Sequence, residues 1–171
     1  MKIAIELAFD EYGALRLLNW LAKENAVILE SHPQLPLLYD SGVVYRRERV
    51  ETWCDYLNLL WQGHEDCDGL AAARAGELMA RGYRALRPGD GGYALARRLK
   101  LSKLNAKCYL HTRRPEGQTG LYHCLVAYEV GGRWYRDDPS ARLGMYGGRI
   151  DPRVQARWDA AGVNAGQRRM G

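Results

Sequence analysis

A thiol, an imidazole and a carboxylate stand in this 171-residue chain in the order Cys67, His123, Asp138. An ionised thiol is a nucleophile, an imidazole can take its proton, and a carboxylate can hold the imidazole's other ring nitrogen. The three together would support acyl transfer through a thioester. Cys67 lies in Gly63-His64-Glu65-Asp66-Cys67-Asp68, between the end of one expected helix and the start of the next. The unpaired backbone N–H groups and positive end of a helix favour a thiolate, lowering a pKa that is about 8.5 in a free cysteine, and they can also receive an oxyanion. The acidic neighbours Glu65, Asp66 and Asp68 oppose that ionisation, and by itself the cysteine reads as a small buried hydrophobe. Gln62 is a candidate side-chain donor to an oxyanion, and equally a plain helix-end glutamine.

The hairpin around Gly131-Gly132 changes that balance. The flanking stretches, Leu121 to Val130 and Arg133 to Asp137, are rich in tyrosine, valine and tryptophan, and a two-residue glycine loop is a strong hairpin signal. With those two glycines as the loop, Val130 faces Arg133, Leu125 faces Asp138 and His123 faces Ser140. Side chains alternate with period two, so His123 and Asp138 project from one face as diagonal neighbours. A three-residue loop would exchange Asp138 for Asp137, which stays open as the alternative partner.

The elements that must position these groups follow from periodicity. Asp10 can cap a helix from about Glu11 to Leu29, with Leu15, Leu18, Leu21 and Ala22 at helical spacing. His32 to Tyr45 reads as an extended connector broken by Pro33, Pro36 and Asp40-Ser41-Gly42. A second helix is expected from Arg49 to Trp61, stopped by Gly63, and a third from Asp66 or Cys67 to Arg81, stopped by Gly82. The alanines of the third mark close packing of a central helix against a sheet. Tyr83 to Leu86 and Ala106 to Thr112 read as strands, Arg113 to Gly120 as a polar loop, and Tyr93 to Asn105 as a basic insertion without an assigned element. A short helix from Asp151 through Trp158 precedes a glycine- and arginine-rich end. The expected organisation is a single domain over residues 1–150 and a basic tail over 151–171.

Bulk properties narrow the function classes. The hydrophobic fraction is 47%, with no apolar run near the roughly 18 residues of a membrane span. The amino terminus lacks a secretory pattern, so a cytoplasmic or particle-packaged protein is expected. Net charge is +5, spread over arginine pairs without interleaved aromatics, which points away from sequence-specific nucleic-acid binding. Four sparse cysteines, at 54, 67, 108 and 124, suit free thiols in a reducing compartment better than a disulfide framework. Cys54, His64 and Cys67 lie close in sequence, and Cys108 with His111 has a two-residue spacing, but paired CxxC knuckles are missing. No metal and no cofactor are expected.

The same residues carry a resemblance. Gly63 to Ala71 resembles the Gly, Asp-Cys, acidic, apolar-Ala pattern that opens the core helix of transglutaminase-like cysteine proteins. His123-Cys124-Leu125-Val126-Ala127-Tyr128, then Gly132-Arg133-Trp134-Tyr135 and Asp137-Asp138-Pro139, is similar to that family's histidine and aspartate strands. The resemblance covers roughly residues 50 to 145, with His64 and Gly69 standing where the family more usually has a smaller residue and an acidic one. Ser41 to Glu48 and Asp138 to Met145 also resemble small phage-encoded members. The resemblance implies an α+β, papain-like or transglutaminase-like fold with the cysteine helix packed on an antiparallel sheet. It implies a cysteine hydrolase or acyl transferase of peptidase or amidase type, with Cys67, His123 and Asp138 as its triad and a protein or peptide as substrate. The alternative it implies is a phage structural or assembly protein, virion-associated, that keeps the fold as a binding module among other phage proteins.

Overall fold

A helix built as Cys-Asp-Gly-Leu-Ala-Ala-Ala-Arg-Ala-Gly-Glu-Leu-Met-Ala-Arg has small residues on every side, so it can be surrounded on every side. In a computed structural model, which describes residues 11–48, 52–112, 122–147 and 149–162, it is. This helix, α3 (Cys67–Arg81), is buried from Gly69 to Leu78 and again at Ala80. It follows α1 (Glu11–Ser31) and α2 (Tyr56–Gln62), and precedes α4 (Tyr93–Arg98), α5 (Pro139–Arg142) and α6 (Pro152–Ala161). Strands β1 (Val44–Tyr45) and β2 (His64–Glu65) form a short parallel pair, and β3 (Asn105–Thr112), β4 (Tyr122–Val130) and β5 (Arg133–Asp137) an antiparallel sheet in the order β3-β4-β5. The architecture is mixed α+β.

Two apolar clusters flank α3. One joins Leu18, Leu21 and Ala22 of α1 and Ala71, Ala72, Ala75 and Leu78 of α3 to Ala106, Cys108, Cys124, Val126 and Tyr128 of the sheet. The cysteine-bearing helix therefore packs on the antiparallel sheet. The other cluster joins Leu70 and Ala73 of α3 to Tyr39, Tyr56, Leu59, Leu143 and Trp158. Helix α1 also grips the sheet's edge: Asn19 Nδ2 donates to the Cys108 carbonyl at 3.2 Å, and Cys108 N–H donates to Asn19 Oδ1 at 3.0 Å.

Two expectations are corrected. The second helix spans Tyr56–Gln62, and Thr52 to Asp55 are not helical. Asp55 starts the helix by accepting from Asn58 N–H at 2.9 Å, while Trp53 is drawn toward α3, its Nε1 donating to Asp68 Oδ2 at 2.6 Å. Tyr83 to Leu86 is not a strand. Gly82, at φ +55°, turns the chain into a 3-10 turn in which Ala85 N–H donates to Gly82 O at 3.0 Å and Leu86 N–H to Tyr83 O at 3.2 Å. The basic insertion holds α4. The segment expected as a tail begins with α6, whose Trp158 is fully buried. The Asp10 cap, the 113–120 loop and the end of the chain from 163 lie outside the described residues.

Candidate active site

Asp-Pro-Ser-Ala is a helix-start pattern, and Asp138 caps α5 with it. Its Oδ1 accepts from Ala141 N–H at 2.9 Å, and Pro139 takes the first helical position, where a missing N–H costs nothing. The other oxygen, Oδ2, lies 2.9 Å from His123 Nε2. The hairpin makes this meeting possible. Gly131 and Gly132 both have positive φ, and the register runs from Val130↔Arg133 to Val126↔Asp137. Continued by one step it sets Leu125 level with Asp138 and His123 on the diagonal, as the two-residue loop predicts. A carboxylate can only accept, so Nε2 carries the hydrogen and Nδ1 the lone pair. Nδ1 is buried and has no hydrogen-bond partner among the described residues. An imidazole in that tautomer is a base.

Asp137, the alternative partner, faces the other way. Its Oδ2 accepts from Arg74 Nε at 2.7 Å, and its Oδ1 lies 3.0 Å from Arg142 Nε. Arg74 also pairs with Glu77, Arg142 Nη2 donates to Asp90 Oδ1 at 2.7 Å, and both guanidinium groups lie over the Tyr39 ring. Burial pushes the Glu77 carboxyl up, while the arginine beside it pulls the other way. The buried Arg74, the partly buried Arg142 and three buried carboxyls thus tie α3 to β5, α5 and the turn before α4. Sequence reading missed this network. Its one signal is an arginine and a glutamate in the middle of an alanine-rich helix.

Cys67 occupies the first position of α3, after the N-cap residue Asp66. It is half-buried and packs against the cluster that contains Cys124 and Cys108. The same alternation that joins His123 to Asp138 sends Cys124 to the inner face, toward α3, and His123 to the outer one. The structure therefore brings His123 and Asp138 together, and places Cys67 with the inner-face residues without a hydrogen bond to His123 Nδ1. Pairing with β5 stops at Val126, so among the described residues no strand pairs with β4 on that side from Leu125 back to Tyr122. No protein-family model matches the chain, and no curated protein or solved structure matches it significantly.

Other groups around Cys67 were less legible. Tyr45, from the connector, has its phenol pKa raised by burial and then by negative charge at Cys67, Asp66 and Asp68. Gln62 does not serve the thiol: its Nε2 donates to Glu65 Oε2 at 3.0 Å and to Cys54 Sγ at 3.3 Å. Burial and the Glu65 charge push the Cys54 thiol up, and a hydrogen bond with Cys108, then burial, does the same to Cys124. Neither is poised as a thiolate near neutral pH.

The expected lack of a metal-ligand pattern can be set against the geometry. Cys108 is on the inner face of β3 and His111 on the outer, so they do not converge on one ion. Asp66, Cys67 and Asp68 each bring a donor atom within 4.8 Å of the others. Three consecutive residues at a helix start crowd together by adjacency alone, and Asp68 already accepts from Trp53 Nε1 and from Gly69 N–H. We read them as the start of the helix. Among the described residues no helix is long and apolar enough to cross a membrane.

Proposed function

We propose that this chain is a cysteine hydrolase or acyl transferase acting on amides of a protein or peptide, built on a papain-like, transglutaminase-like core. The observation that carries the reading is the His123–Asp138 pair at 2.9 Å, with the opposite ring nitrogen buried and unpartnered. That is the arrangement a general base needs: one nitrogen held, the other presenting its lone pair. The thiol of Cys67, at the start of α3, is the nucleophile that such a base would serve.

In this reading His123 Nδ1 takes the Cys67 proton, and the thiolate adds to the amide carbonyl carbon. The tetrahedral oxyanion forms beside the first-turn N–H groups of α3, with the Tyr45 hydroxyl as a further donor. Collapse breaks the C–N bond as the imidazolium returns its proton to the leaving amine. Water or a second amine then attacks the thioester and releases the thiol. The reading requires thiol and imidazole to meet around the side of β4 that does not pair with β5.

The test is labelling of Cys67 by a peptidyl electrophile that mimics an amide. His123→Ala lowers the labelling rate by about 10²–10⁴-fold, the usual worth of a general base, and Cys67→Ala removes the label with the fold unchanged by circular dichroism. Equal labelling of the wild type and His123→Ala overturns the reading. The scaffold alternative, an assembly protein that binds through this fold, draws on exposed aromatic side chains at Tyr12, Trp20 and Trp61. It gains if Cys67 resists the electrophile and the chain is recovered stoichiometrically in purified phage particles.

A further inference from the structure

A buried carboxyl that the proposed reaction does not use lies directly under the nucleophile's helix. Glu65, the last residue of β2, has no exposed surface. Its Oε1 accepts from Asp66 N–H at 3.1 Å, and its Oε2 from Cys54 Sγ at 3.2 Å and from Gln62 Nε2 at 3.0 Å. Its methylene stem fills the place where a Cβ at Gly69 would stand, so α3 needs glycine there for Glu65 to lie along its first turn. The glycine that departs from the transglutaminase-like pattern this stretch resembles and the buried acid are one device. Cys54, Gln62, Glu65 and Gly69 come from the segment before α2, the end of α2, β2 and α3, and they meet at one carboxyl group.

We propose that Glu65 is a positioning residue for Cys67, its carboxyl fastening Cys54 and Gln62 to the first turn of α3 and so holding the backbone around the thiol. This rests on the reading of Cys67 as the reactive group. Because the carboxyl sits against that turn, its charge is also felt by the thiol. Burial pushes Glu65 up to about 7, against the hydrogen bonds from Cys54 and Asp66 N–H that pull it down. Glu48 and Asp68 face the same region with negative charge, as does Asp55 by way of Cys54, while Arg46 is turned to His64, with its Nη1 3.3 Å from the His64 ring. Near neutral pH Glu65 therefore passes from neutral to anionic. Each added negative charge beside a thiol disfavours the thiolate.

The experiment follows alkylation of Cys67 by iodoacetamide in the full chain, read peptide by peptide by mass spectrometry between about pH 5.5 and about 8.5, on both sides of the Glu65 ionisation. In the wild type the rate rises less than tenfold per pH unit around 7, because ionisation of Glu65 raises the thiol pKa as the solution becomes more basic. Glu65→Gln removes that flattening and alkylates several-fold faster at pH 8, with a rise of one proton. Cys54→Ala, which deletes a hydrogen bond to the charged carboxylate, moves the flattening to higher pH and serves if Glu65→Gln does not fold. Superimposable profiles for the wild type, Glu65→Gln and Cys54→Ala overturn the proposal. His123→Ala separates it from the reading it rests on. If the cysteine–histidine reading fails, His123→Ala matches the wild type while the Glu65 effect persists. If only the Glu65 proposal fails, His123→Ala differs from the wild type and Glu65→Gln does not.

Discussion

Asp137, which ends β5, and Asp138, which follows it, are chemically identical neighbours facing opposite ways, and each does what its surroundings permit. Asp137 meets two guanidinium groups in a space that excludes water, and Asp138 meets an imidazole and a helix start at the margin of the sheet. Asp137→Asn leaves the buried Arg74 and the partly buried Arg142 short of a partner and lowers stability by about 3–5 kcal/mol in urea unfolding, the usual cost of breaking a buried pair. Cys67 labelling, measured on the folded fraction, stays at the wild-type rate. Asp138→Ala does the reverse. It costs about 1 kcal/mol through the lost cap, and lowers labelling at least tenfold because nothing then holds His123. If the two variants exchange these effects, the division of roles is wrong. That division was legible in the chain only through the glycine pair, because a two-residue loop decides by parity which aspartate shares a face with His123. The network around Arg74 was not legible, because two charges in an alanine-rich helix do not show that Asp90, Asp137 and Arg142, distant in sequence, will join them.

Helices with dense periodicity were readable, and short elements were not. α3 begins and ends where its cysteine and Gly82 suggest, and α1 and the hairpin match their apolar patterns within a residue or two at each end. Tyr83 to Leu86 misled because two buried apolar residues after a polar pair resemble a strand, while the i to i+3 bonding after Gly82 leaves no written trace. The expectation of a helix from Arg49 failed for a tertiary reason, since Trp53 and Cys54 bond to Asp68 and Glu65 across the fold. The α1–α3 contact depends on Gly76, where a Cβ would lie 2.6 Å from the Ala22 carbonyl oxygen and 2.7 Å from Asn25 Cβ. Backbone cannot yield as a flexible side chain does. Gly76→Ala therefore destabilises the fold by about 1–3 kcal/mol despite the better helix propensity of alanine. A neutral or stabilising result in chemical denaturation would show that the helices separate easily.

At the scale of the molecule, the chain beyond residue 150 contributes to the core. Trp158 packs with Tyr39, Tyr56 and Leu143, and its Nε1 donates to the Tyr39 carbonyl at 3.2 Å. Trp158→Ala is expected to cost about 3–5 kcal/mol, and truncation after 150 at least as much, both measured by equilibrium unfolding. A change below about 1 kcal/mol would mean that α6 is dispensable. The sequence indicated a helix here, and its docking was hidden because one tryptophan and one valine make a weak apolar face. The grip of Asn19 on Cys108 has a different consequence for the assembled sheet. β3 is an outer strand, and its free backbone groups would otherwise form a template for a further strand from another molecule. By occupying both the N–H and the carbonyl of Cys108, one amide side chain interrupts that template at mid-strand. Strand addition along this edge is blocked at Cys108, so the docking of α1 and the protection of the edge are one contact.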